Sequence, residues 1–390
     1  MALAAPPLAL YLHFPWCVRK CPYCDFNSHT LQQELPQQAY LDALLADLHC
    51  QGATVVGRRI TSLFLGGGTP SLFAPEAIGR LLAAVRSALE VDSSAEVTLE
   101  ANPGTIERGR FAEYRAAGIN RVSLGAQSFD SVMLERLGRI HSVRETHAAV
   151  DELRAAGLDN FNIDLMYGLP SQDVQGAVAD VRAAVELAPA HLSHYQLTME
   201  PGTVFGGRPP AGLPDEDASY EMQRRCQDAL AATGYAQYEI SAYAREGAQC
   251  AHNLNYWKFG DYLGVGAGAH GKRTDAARGL IVRTVREREP RRYLARGHKG
   301  EPPGTPVPSS DLPFEFMMNA LRLNAGFERA DFESSTGLAW DTVRAPLGRL
   351  AERNLLIPLA SGTDGWRASE LGRTFLNDLI AEFLPIRPVV

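Results

Sequence analysis

No apolar run in this chain approaches the ~18 to 20 residues that a helix needs to cross a bilayer, and charged residues interrupt every long helical pattern. A membrane-spanning segment is not expected. The stretch MALAAPPLALYLHFPWC lacks a basic start, and two prolines break it before any small-residue cleavage pattern. That reads against a secretion signal and for a cytoplasmic location. Positive charge is in short supply too, with 38 Lys and Arg against 45 Asp and Glu and a net charge of -7. Broad binding to phosphate backbones or anionic membrane is disfavoured, so nucleic acid is not an expected partner and small-molecule chemistry is the default. Cysteine is scarce, and six in 390 residues cannot form a disulfide scaffold. No internal repeat or low-complexity tract stands out. Apolar residues, at 45%, are plentiful enough to bury a large core, as one domain or as one with a smaller companion.

From residue 8 to about residue 200, short apolar runs ending in polar or glycine-rich residues alternate with longer helical patterns. This is the rhythm of repeated β/α units. Strands are predicted at Leu8 to Phe14, Ser62 to Leu65, Val97 to Glu100, Arg121 to Gly125, Asn160 to Leu165 and His191 to Leu197. Helices are predicted at 37–48, 75–89, 142–156 and 174–187, where apolar residues recur at three- and four-residue spacing. The fold class is α/β, an open or partial (β/α)6 parallel barrel, whose strand ends carry the polar residues and where active sites assemble. Helix caps and turns are the plainer explanation for a lone Ser128 or Thr69. Three regions follow: a core over 1–271, a basic, proline-rich linker or exposed loop over 272–313, and a helix-rich domain of winged-helix type over 314–390. Residues 272–299 hold ten Lys or Arg against three acids. In the tail helices are expected at 314–323, 340–352 and 370–383, with a hairpin around 361–365. From Asp311 onward there are 8 Arg and 11 acids, which disfavours DNA.

Three of the six cysteines, Cys17, Cys21 and Cys24, crowd into eight positions just past the first strand. Clustering points to metal. Three thiolates can ligate three corners of a 4Fe-4S cube, leaving one iron for a small ligand that chelates through an amine and a carboxylate. Zinc is the alternative, with His29 or Cys50 completing a tetrahedron, but zinc sites favour two separated C-x2-C pairs and only one is present. Cys50 and Cys226 read as small buried apolar residues.

C-x3-C-x2-C after the first strand and GGGTP after the second resemble the radical S-adenosylmethionine superfamily. Within it, YLHFPWCVRKCPYCDFNS, FLGGGTPSL, LEANPG, GAQSFD, LGRIH, NIDLMYGLP and HNLNYW resemble the HemW family of heme chaperones, relatives of oxygen-independent coproporphyrinogen III oxidase. The resemblance implies a 4Fe-4S cluster on the three cysteines and S-adenosyl-L-methionine beside it. Tyr11 and Tyr23 would flank cluster and nucleotide, while Gly67, Gly68 and Thr69 would meet the methionyl amine. Glu100 and Asp164 would accept from hydroxyl or amine donors, Gln127 would serve a ribose or carboxylate, and Arg139 would pair with the methionyl carboxylate. The related oxidase carries a fourth cysteine two residues beyond the third and a longer N-terminal extension. Here that place is Phe26, and Cys17 follows only 16 residues, so coproporphyrinogen oxidation is put in doubt.

In Cys250-Ala251-His252-Asn253-Leu254-Asn255-Tyr256-Trp257 an imidazole precedes two aromatics. A histidine can ligate heme iron, aromatic faces can cover the macrocycle, and a basic residue such as Lys258 can meet a propionate. A core histidine beside packed aromatics is the plainer explanation. The resemblance implies heme binding through this HN-x-x-Y-W motif, with His252 as leading axial ligand assisted by Asn253, Tyr256 and Trp257; Cys250 is an alternative and His270 a weaker one. The expectation is a heme chaperone that passes heme to an acceptor, a respiratory heme protein among the candidates, with the donor open. A radical enzyme acting on a tetrapyrrole is the runner-up.

Overall fold

Leu8, Leu10, Leu12 and Phe14 alternate with Ala9, Tyr11 and His13, so a strand here buries the first set under helices and turns the second to the other face. The computed structural model, which describes residues 3–104, 109–296, 304–360 and 364–385, has that strand as Leu8–Phe14 (β1). Arg59–Gly67 (β2), Glu90–Ala101 (β3), Arg121–Gln127 (β4), Phe161–Tyr167 (β5) and His191–Gln196 (β6) follow. They pair in parallel in chain order, as the partial barrel requires. The helices Gln37–Gly52, Pro75–Ala88, Val143–Ala155 and Val174–Glu186 intervene. Ser142 fixes the start of the third through a capping box with Glu145.

The sheet continues past both edges of this barrel. Beyond β6 lie the antiparallel strands Ala236–Glu239 (β7) and Ala242–Ala244 (β8). Beyond β1 lies Asp261–Val265 (β9), parallel to it, then His270–Asp275 (β10), Leu280–Val285 (β11) and Thr305–Pro306 (β12), all antiparallel. The order is β12-β11-β10-β9-β1-β2-β3-β4-β5-β6-β8-β7.

A linker or exposed loop beginning at 272 is therefore corrected over 272–285, which belongs to two strands of the main sheet. The β-branched run Leu280–Val285 was masked by the arginines around it. Lys272 and Arg283 stand opposite each other across β10 and β11, and each is matched by an acid from elsewhere, Asp261 and Glu315.

A second core gathers Phe316, Phe327, Phe332 and Trp340 from the tail, together with Leu3, Phe259 and Ile281. Its helices include Leu312–Ala320, Arg329–Thr336 and Asp341–Glu352, and the strands Leu356–Pro358 and Gly365–Ala368 pair antiparallel. The predicted turn at 361–363 lies outside the described residues. The last predicted helix is two, Glu370–Thr374 and Leu376–Ala381, joined at Phe375. Among the described residues no helix is long and apolar enough to cross a membrane.

Asp261 fastens the sheet extension to the barrel. Its fully buried carboxylate accepts from Lys272 at 2.9 Å, from Arg58 at 2.7 Å, and from the Thr274 amide and hydroxyl at 2.7 and 2.9 Å. Removing it strands a buried ammonium. Asp261→Ala is expected to lower unfolding free energy in urea by about 3–5 kcal/mol; a loss below about 1 kcal/mol would show that the extension does not depend on this carboxylate.

Candidate functional site

The carboxyl ends of the parallel strands open on one cleft of about 200 Å³. Its first wall is the cysteine loop. Trp16–Cys17 pairs with His29–Thr30, the Cys24 amide donates to the Cys21 carbonyl at 3.2 Å, and Trp16 packs edge-on against Tyr40. Cys17, Cys21 and Cys24 all line the cleft. Burial pushes the Cys17 thiol up from its ordinary value, with hydrogen bonding to Thr69 acting the other way. The Cys24 sulfur lies 3.5 Å from the Ser28 hydroxyl, and Arg139 donates to Cys21 Sγ at 3.5 Å.

This donor set fits an iron-sulfur cube. Three thiols at C-x3-C-x2-C spacing line one cleft, and each can serve one iron of a cube as a thiolate.

Opposite the cysteines stands the glycine segment. A Cβ on Gly68 would lie 2.6 Å from the carbonyls of Phe14 and Trp16, and one on Gly67, at φ +107°, would lie 2.2 Å from the His13 ring. Only glycine fits, and the bare backbone is left facing the cleft. The Gly67 amide donates to Glu100 at 2.9 Å. Burial lifts the Glu100 carboxyl to about 8, with the Gly67 amide opposing and Asp164 reinforcing. Burial likewise raises Asp164, against hydrogen bonds from Asn162 and Ser193. Two buried carboxyls, with Arg121 acting on Asp164 only against the stronger effect of burial, suit a cationic, hydroxyl-bearing ligand. Gln127, held at φ +70° at the end of β4, accepts from the Tyr195 hydroxyl at 2.9 Å. Arg139 donates to Asn102 and to the Gly125 carbonyl, and its buried Nε has no partner, a donor to spare for a carboxylate.

Tyr11 is not in the cleft wall. His13 Nε2 donates to the Asn27 carbonyl at 2.9 Å, so His13 Nδ1 accepts from the Tyr11 hydroxyl at 2.9 Å. Burial takes His13 down to about 4 and keeps it neutral. Tyr11 backs the site. Asn102, which donates to Thr69 at 2.9 Å, and Tyr195 were not singled out in the sequence. Asn102 lies inside LEANPG, and Tyr195 follows His191 and Ser193 on the inward period of β6.

The HN-x-x-Y-W residues stand elsewhere, on the helix Ala251–Trp257. The Glu96 carboxylate caps it, accepting from the amides of Ala251 and His252 at 3.1 Å each and from the Cys250 thiol at 3.4 Å. His252 is enclosed: Nδ1 lies 3.1 Å from the Ser62 hydroxyl, and the ring stacks on Phe64 at 5.0 Å and meets Tyr256 edge-on. Burial and then Arg121 bring it to about 3, so it is neutral, and its Nε2 has no partner. Burial also pushes the Cys250 thiol up to about 11. Asn253 is half-buried, and Trp257 lies under the Arg322 guanidinium at 4.3 Å. Tyr256 alone of the four lines a second cleft, of about 400 Å³.

The raised Glu100 carboxyl makes a pH prediction. Its folded pKa of about 8 exceeds the ordinary 4.5, so its contribution to stability is complete below 4.5 and is lost as pH rises through 8. Glu100→Gln, which cannot ionise, should gain on the parent in urea unfolding between about pH 5 and about pH 9. Parallel stability curves across that range would refute it.

With this geometry in view, comparison with known proteins is informative. The Radical SAM superfamily model matches residues 11–182 and the HemN C-terminal domain model residues 307–375. The solved coproporphyrinogen III oxidase (HemN) of Escherichia coli superposes with a TM-score of 0.81 at 23% identity, covering 97% of this chain and 90% of that one, a likeness of fold. The heme chaperone HemW of Haemophilus influenzae is 46% identical over 97% of this chain and 98% of its own. That of Escherichia coli strain K12 is 49% identical over the same shares, and with such likeness along its whole length the chain belongs to the HemW family of heme chaperones on a radical SAM fold.

Proposed function

We propose that this protein is a heme chaperone that binds heme and passes it to an acceptor protein. In this reading it carries a 4Fe-4S cluster on Cys17, Cys21 and Cys24 and S-adenosyl-L-methionine beside it. The observation that carries the reading is the cleft at the strand ends, where three thiols face a bare glycine backbone, two carboxyls and an arginine with an unused donor. When bound, the reduced cluster supplies an electron to the sulfonium.

The chain's own residues bind and orient. Gly67 and Gly68 admit the methionyl end, Arg139 meets its carboxylate, Glu100 and Asp164 accept from its amine or hydroxyls, and Thr69 is steadied by Asn102. Tyr23 covers the cluster side, and Gln127 serves the ribose. The HN-x-x-Y-W motif contributes to heme through Tyr256 at the second cleft, with His252, Asn253 and Trp257 behind it. None of the six cysteines, all among the described residues, is joined in a disulfide, which suits the reducing cytoplasm. The acceptor is a protein that takes heme, and a respiratory one fits; the donor is left open.

Nothing specific favours the oxidase alternative. Phe26, where the oxidase has its fourth cysteine, is 61% exposed at the cleft mouth and offers no sulfur.

Cys17→Ala/Cys21→Ala/Cys24→Ala, reconstituted anaerobically, should lose the iron-sulfur absorbance and the Mössbauer signature of a cubane; an unchanged cubane would remove these ligands. The function itself is tested with heme-loaded protein mixed with an apo b-type heme protein. The Soret band of the acceptor should grow as the chaperone's falls. Failure of the protein to take up heme at all, or conversion of coproporphyrinogen to protoporphyrinogen with dithionite and S-adenosyl-L-methionine, would overturn the carrier reading.

A further inference from the structure

The second cleft lies between the inner face of β9 to β11, the last turn of the helix Ala251–Trp257, and the helix Leu312–Ala320. Its size falls within the ~300–1,000 Å³ of ordinary ligand pockets. Tyr256 and Tyr262, with ring centroids 4.3 Å apart, make one wall, and Met318, 38% exposed, stands on the helix opposite. The walls offer aromatic and thioether surface to a flat apolar body.

His270, the first residue of β10, reaches this cleft with an exposed side chain. A Cβ at Gly264 would fall 1.9 Å from the His270 carbonyl, so glycine there is what lets β10 lie so close. The imidazole makes no hydrogen bond to any described residue. Partial burial, Arg283 and Arg288 all lower its pKa, leaving a neutral ring with a free nitrogen lone pair. Arg283 uses one N–H on the Tyr262 hydroxyl at 2.7 Å and one on Glu315, keeping three over. Arg288 is exposed and near enough to act on His270. Around the cleft Arg58, Lys272 and Arg283 outnumber Asp261 and Glu315 by one.

A neutral nitrogen ligand, aromatic walls and donors for carboxylates together match one ligand class, an iron porphyrin with propionate side chains. We propose that the second cleft seats the heme, with His270 as the axial ligand to iron, Tyr256 and Tyr262 against the macrocycle, and Arg283 and Arg288 meeting the propionates. This assignment rests on the heme-chaperone reading and names its site. His252, enclosed by Phe64, Tyr256 and Ser62, is then a positioning residue that sets Tyr256.

The test uses the full-length protein titrated with heme, read by absorbance and by magnetic circular dichroism or electron paramagnetic resonance. The parent should show histidine ligation. His270→Gly, at an exposed position, should keep its far-ultraviolet circular dichroism yet lose that signature and weaken binding by about ten-fold or more. Free imidazole should restore the signature. His252→Ala should weaken binding and retain it. If His270→Gly keeps the parental signature and affinity, or if the signature is lost in His252→Ala instead, the assignment falls while the chaperone reading stands. If the parent takes up no heme, the chaperone reading falls with it.

Discussion

The site depends on a close approach that a single methyl group would forbid. Gly68 donates to the Phe14 carbonyl at 2.7 Å and Thr69 to the Trp16 carbonyl at 2.8 Å, so the end of β2 is laced to the chain entering the cysteine loop. With a Cβ at Gly68 those carbonyls would be pushed away. The three thiols, the backbone they face and the Thr69 hydroxyl that acts on Cys17 are thus one constructed unit. Its rigidity comes from below, where Phe14, Trp16, Tyr40 and Phe73 pack ring to ring.

The inner face of the barrel buries polar side chains at several levels, Glu100 and Asp164 near the cleft and Arg121, Asn162 and His191 lower down. Each has a cost that must be offset locally. At the cleft Glu100 and Asp164 bear it by holding protons more tightly than they would in water. Lower down, Arg121 lies 3.7 Å from Glu96 and is 2% exposed. Glu96 is thereby free to cap the helix Ala251–Trp257, whose N-terminal amides favour a carboxylate. Burial, and after it the positive guanidinium, keeps His252 neutral. One buried ion pair therefore fixes where the HN-x-x-Y-W helix begins.

Much of this was legible in the sequence because period and spacing carry it. The alternation in Leu8–Phe14 and the glycine-rich strand ends announce parallel β/α units, and the C-x3-C-x2-C triplet with GGGTP announces the cleft. Less legible were features that depend on partners far along the chain. β10 and β11 were hidden because Lys272 and Arg283 look like solvated charge until Asp261 and Glu315 are brought to them. Tyr11 reads as a cleft residue by motif, yet its hydroxyl is spent on His13. His252 reads as a ligand by motif, yet Ser62, 190 positions away, and Phe64 enclose it. Spacing along the chain says which residues travel together and nothing about which face of the sheet receives them.

The two clefts are not independent bodies. Asn27, at the end of the cysteine loop, donates through one amide to the carbonyls of Ala267 and Arg288, each at 2.9 Å. A Cβ on Gly268 would collide with that amide at 2.2 Å. Ala267 leads into His270, and Arg288 follows β11, so the backbone on both sides of the second cleft is pinned to the loop that bears the thiols. Between them stands the Tyr11 to His13 to Asn27 chain of hydrogen bonds, with the Tyr11 ring 6.5 Å from that of His252. Asn27 thus ties the cysteine loop to the segments that carry His270 and Arg288. The loop that bears the thiols and the segments that flank the second cleft are joined by contiguous hydrogen bonds rather than by proximity alone.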